Sequence, residues 1–124
     1  MANVSQTSAT VLVGDVVYSI ADTNSTADDD LSGSSTATVY GIEVASSATN
    51  TAFLKLWDNN NPTVGTTAPD LILPIAANTS QTVLIGGGIL FSNLSAACVD
   101  AGGLGSGASS PAGTVTVEIV VDES

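Results

Sequence analysis

The stretch TVYGIEVASSATNTAFLKLWD, residues 38–58, constrains the fold more than any other part of the chain. Tyr40, Ile42 and Val44 recur at every second position, and Ala52, Leu54 and Leu56 do the same beyond a small polar turn. A period of two is the signature of a β-strand with one face turned to a core. The simplest reading is a β-hairpin with Val44 opposite Leu54, which sets Glu43 opposite Lys55 and Gly41 opposite Trp57. An opposite-charge pair and an aromatic ring over a strand glycine both favour that register. Val39, Phe53 and Trp57 make the second face apolar as well, and a strand with two apolar faces needs two covers.

Further strands follow from the same patterning. Residues 9–20, ATVLVGDVVYSI, read as a long strand bent at Gly14, because an interior glycine often marks a bulge. Leu71, Ile72 and Leu73 form a short strand stopped by Pro74, a residue tolerated mainly at sheet edges and strand ends. Residues 81–85 form another strand, Gly86, Gly87 and Gly88 a flexible joint, and ILFSNLSAACVD one or two more. The last strand, residues 114–122, sets Val115, Val117, Ile119 and Val121 on one face. Long connections rich in Ser, Gly and Asn separate these runs, at residues 21–35, 58–69 and 101–113. No stretch keeps a helical period over two turns. The expected fold is all-β, an antiparallel β-sandwich of seven or eight strands, jelly-roll or Ig-like. Residues 1–8 read as a polar N-terminal arm and residues 9–124 as a single domain, since 124 residues can bury roughly two-thirds of their unfolded surface.

Charge narrows the partners. Twelve acidic residues stand against one basic residue, a net charge of −11, with no histidine. Nucleic-acid binding depends on cations that neutralise phosphates, so this class is excluded, and anionic membrane surfaces are disfavoured for the same reason. No apolar run approaches the roughly 20 residues that span a bilayer. The N-terminus has neither the basic start nor the apolar run of a secretory signal.

Little chemistry is available to such a chain. Without histidine there is no Ser-His-Asp or Cys-His site, and no zinc site built on Cys and His. Cys98, in the apolar setting SAACV, reads as a small buried hydrophobe. Asp28, Asp29 and Asp30, with Asp22 and Asn24, make an oxygen-rich loop, but Ala27 stands where a calcium loop of the EF-hand type needs glycine and Gly33 where it needs glutamate. A solvated acidic loop is the expectation. The glycines at 86–88 lack the spacing, the helix and the lysine of a phosphate-binding loop. A carboxylate pair of the glycosidase kind would need an aromatic-lined cleft, and aromatics are only 4% of the residues. The expectation is a protein that is not an enzyme and uses no metal or other cofactor.

The order of the residues adds a resemblance. The run YGIEVASSATNTAFLKLWD, followed by NPTVGTTAPDLILPI, the turn AANTS and then GGGILFSN with SAAC, resembles a small β-sandwich type found among virion proteins of tailed bacteriophages and cyanophages. Together these segments cover about half of the chain. The resemblance implies a structural virion protein, most like a capsid decoration or cement protein on the capsid exterior, made in the host cytoplasm. It implies the major capsid protein as partner and copies of the chain as a homo-oligomer. The alternative is a tail or fibre accessory protein, or a carbohydrate-binding adhesion module using Trp57 and the loops at Asp28 or Asp58. The candidate interface residues are Val39, Phe53 and Trp57, with Asn3 and Val4 of the arm. The competing cover for Trp57 is the chain's own loop 59–69.

Overall fold

The computed structural model describes residues 4–7, 16–103 and 109–123. Among them are eight strands: β1 (Val4–Thr7), β2 (Val16–Ile20), β3 (Ala37–Ser46), β4 (Ala52–Asp58), β5 (Leu71–Ile75), β6 (Ser80–Phe91), β7 (Leu94–Val99) and β8 (Val115–Glu123). They form a five-stranded sheet in the order β1-β2-β8-β3-β6 and a three-stranded sheet in the order β5-β4-β7, with every pairing antiparallel. The expected all-β sandwich is therefore the fold. Residues 8–15, with the bend expected at Gly14, lie outside the described residues.

The two sheets share one core. Ile42, Val44, Val117, Ile119 and Val121 from the larger sheet pack with Leu54, Leu56, Ile75, Leu94, Ala96 and Cys98 from the smaller one. β8 is the clearest case of sequence becoming structure, because its alternating Val115, Val117, Ile119 and Val121 are each fully buried. Tyr18 on β2 is buried too, and its hydroxyl donates to a Glu123 carboxylate oxygen.

The central hairpin expected over residues 38–58 does not form. β3 lies between β8 and β6, whereas β4 lies in the other sheet between β5 and β7. Val44 faces Val117 and Gln81, Glu43 faces Glu118 and Thr82, and Gly41 faces Val120 and Leu84. Lys55 faces Ala97 and Ile72, and Trp57 faces Ser95. The physical reason is the apolar content of β4. Leu54 and Leu56 need the core, Phe53 and Trp57 need a second cover, and only a strand in the middle of its own sheet obtains both. The connection 47–51 crosses between the sheets and is held by β8's approach, with Ser47 N–H donating to Thr114 O at 2.9 Å and Thr49 N–H to Ala112 O at 3.2 Å.

A bulge at Tyr40 resets the phase of β3. Tyr40 is the extra residue between Val39, opposite Val121, and Gly41, opposite Val120. The core positions of β3 are therefore Ala37, Val39, Ile42 and Val44, and Tyr40 leaves the row assigned to it from alternation. On the other side of β3, residues 85–88 of β6 stand against the same single Tyr40. The glycine run is thus a bulge inside one twelve-residue strand, with Gly87 and Gly88 at φ of 81° and 73°. A Cβ on Gly88 would lie 2.5 Å from Thr38 Cγ2 and 2.9 Å from Tyr40 Cε1, so the backbone approaches β3 as only glycine allows.

Candidate functional site: the sheet edges

A sandwich of two open sheets has edges, and each edge presents backbone groups that another strand could pair with. β5 carries Pro74, opposite Phe53, and proline lacks the N–H that would recruit a neighbour. β7 is screened by the acidic loop. Cys98 N–H donates to Asn24 O at 2.9 Å, Asp28 and Ala96 exchange backbone bonds at 2.8 and 3.1 Å, and Leu31 N–H donates to Leu94 O at 2.7 Å. Residues 24–31 are thus fastened along β7, with Asp30 N–H also donating to Ser95 Oγ at 2.9 Å. β1 closes one end of the larger sheet by pairing with β2, Val4 opposite Ile20.

β6 closes the other end, and it is dressed differently. Its one partner among the described strands is β3. The three large hydrophobics exposed among the described residues are all on it: Leu84 at 69%, Leu90 at 62% and Ile89 at 37%. Nothing in the alternation of residues 81–91 marked this strand as an edge. The signal that could have found it is the glycine bulge itself, since bulges concentrate at sheet edges.

The candidate interface residues read from the sequence fall elsewhere. Val39 is fully buried in the shared core, on the larger sheet, and offers no surface to a partner. Trp57 is 1% exposed on the outer face of the smaller sheet, where its Nε1–H donates to Thr67 O at 2.9 Å. Its second cover is therefore the chain's own loop. That loop is closed by Thr67 N–H donating to Thr63 O at 2.8 Å and by Asp70 N–H donating to Leu56 O at 2.8 Å. Phe53 is half-buried, and a Cβ on Gly102 would lie 2.8 Å from its ring, so the loop after β7 lies on it. Val4 is in β1, and Asn3 lies outside the described residues.

The ionisable groups follow from this packing. Lys55 is buried between Ala97 and Ile72 on the covered face, its ammonium donates to Gly103 O at 2.6 Å, and burial holds its pKa below the usual lysine range. Asp58 Oδ1 accepts from Ser92 N–H at 2.9 Å and Asn93 N–H at 2.8 Å, which fixes the turn from β6 into β7. The acidic loop is not the freely solvated segment expected. Burial, and then the charge of neighbouring carboxylates, holds Asp28 and Asp29 above the usual carboxylate range. Among the described residues no group of three or more acidic or cysteine side chains is arranged to hold a metal ion.

Cys98 is fully buried, and burial pushes its thiol up to about 12. At pH 8 the thiol is protonated as well as inaccessible, and the thiolate is the reactive form. The native protein is expected to leave a chromogenic disulfide reagent unreacted at pH 8 and to consume one equivalent once unfolded in guanidinium. Rapid reaction in the native state would show that β7 opens readily.

Among the described residues no helix is long and apolar enough to cross a membrane. A scan against protein-family models finds no match, and searches of curated proteins and of solved structures return no significant match either.

Proposed function

We propose that the chain is a non-enzymatic structural virion protein, a capsid decoration or cement protein that binds the major capsid protein and bridges neighbouring shell subunits. The observation that carries the reading is the β6 edge, where Leu84, Ile89 and Leu90 stand exposed on a strand whose outer side no other described strand covers. An exposed apolar edge is a hazard for a free monomer and an asset for a protein that docks. The acidic surface supports the same reading: a charge of −11 keeps free copies apart in solution and complements a basic patch on a shell. A role as a carbohydrate-binding module loses its main residue, because Trp57 is covered by loop 59–69 and cannot stack on a sugar ring.

The test uses shells assembled from the major capsid protein of the same virus. The protein is expected to co-sediment with them saturably and to raise the temperature at which they burst. Calcium-dependent binding to a glycan array, with shells left unbound and no more heat-resistant than before, would overturn the reading.

A further inference from the structure

We infer that the β6 edge accepts a basic, strand-forming segment of another protein, which adds antiparallel beside residues 80–84 and sets cationic side chains toward Glu43 and Glu118. The inference deepens the docking reading and rests on it for the use of this edge.

The first ground is register. Ser80 to Leu84 pair without interruption against Ala45 to Gly41, so the longer regular run of β6 is five residues and ends where the bulge at residues 85–88 begins, with only Ile89 to Phe91 paired beyond it. A bulge breaks the backbone pattern that an added strand would follow, so an added strand pairs over the longer run on one side of it. Strand addition of this kind draws its affinity from main-chain hydrogen bonds and its selectivity from alternate side chains.

The second ground is charge. On the outer face Glu118, Glu43 and Thr82 lie side by side on β8, β3 and β6, with Val120, Gly41 and Leu84 in the next row. Glu43 and Glu118 are exposed and directly opposite each other, an arrangement that strand pairs normally avoid. They line a shallow groove of about 210 Å3 with Gln81 and Thr82. The chain's single basic side chain, Lys55, is buried on the other sheet with its ammonium on Gly103 O, so no side chain of this protein can neutralise the pair. A second copy would bring another net charge of −11, which argues for a different, basic partner. Strands in a sheet lie about 4.8 Å apart, so a residue of the added strand beside Thr82 sits about 10 Å from Glu43 along the sheet. That distance is spanned by a lysine or arginine reaching toward a glutamate. Residues flanking it would pack on Leu84.

The probes are three synthetic nine-residue peptides: valine alternating with lysine, valine alternating with glutamate, and the lysine peptide with its valines replaced by proline. Amide shifts of the full chain are followed by NMR. The valine–lysine peptide is expected to shift the amides of residues 80–84 saturably, more weakly as salt is raised, while the acidic and proline peptides leave them in place. Glu43→Gln with Glu118→Gln is expected to weaken that binding roughly tenfold, about 1.4 kcal/mol. The inference is overturned if the proline peptide binds equally well, if the shifts map away from β6, if no peptide binds at millimolar concentration, or if the same amides shift with protein concentration alone, which would make a second copy the occupant. Shell co-sedimentation is measured in parallel. Shells bound without any peptide response would remove this inference and leave the decoration role, and the reverse pattern would remove the role alone.

Discussion

Replacing Trp57 by serine is expected to remove a large part of the folding stability. The side chain is 1% exposed, sits on the outer face of the smaller sheet opposite Ser95, and donates its indole N–H to Thr67 O at 2.9 Å. Truncating a buried tryptophan costs about 3–5 kcal/mol, and a domain of this size is stable by only about 5–15 kcal/mol. The hydrogen bond matters beyond its own energy. Loop 59–69 would lose the ring it packs on, and Thr67 O would lose a partner that holds the loop down. The check is a urea titration followed by circular dichroism, since the substitution removes the fluorescent probe. A fall in the transition midpoint at unchanged slope is the expected result. A midpoint equal to that of the parent would mean that the loop does not cover Trp57 in solution, and would return this face to the list of docking surfaces.

Trp57 also shows where reading residues in order succeeds and where it stops. Alternation in β4 correctly separates Leu54 and Leu56 from Phe53 and Trp57, because the pleat sends neighbouring side chains to opposite faces whatever lies beside the strand. It also places Val115, Val117, Ile119 and Val121 of β8 in the core. Alternation carries no information about which strand is the neighbour. Residues 47–51 are short, polar and turn-like, and the same composition serves a hairpin or a crossing between sheets. What decides is the distant segment that binds them, through Thr114 O, Ala112 O and the Asn50 side chain, and such long-range partners leave no local trace. The bulge at Tyr40 is invisible for a related reason. Val39 and Ile42 are both core residues at a spacing of three, so one of them violates alternation until the extra residue is known. That violation made Val39 look like part of a second face. The acidic loop was legible as chain without periodicity, while its attachment along β7 was not, because the bonds that fasten it run mostly through backbone atoms.

The edge of β6 calls for the opposite kind of variant, one that spares the fold and removes docking. Leu84 and Leu90 are 69% and 62% exposed, so changing both to serine removes little packing within the chain. Exposed substitutions of this kind usually stay within about 0.5 kcal/mol each, and the urea midpoint of Leu84→Ser with Leu90→Ser is expected to lie near that of the parent. Docking is another matter. Burying a leucine side chain against a partner contributes about 1.5–3 kcal/mol, so losing two such contacts should weaken binding by roughly two to four orders of magnitude. Serine is chosen over a charged residue because a new carboxylate beside Glu43 would strengthen attraction to a basic partner while removing apolar contact, and the two effects would oppose each other. Shells mixed with the double variant are expected to burst at the temperature of undecorated shells, and the variant to stay in the supernatant when they are pelleted. Full shell binding by a well-folded double variant would exclude the β6 edge as the docking site, since Trp57 and Val39 are already occupied within the chain and neither could take its place.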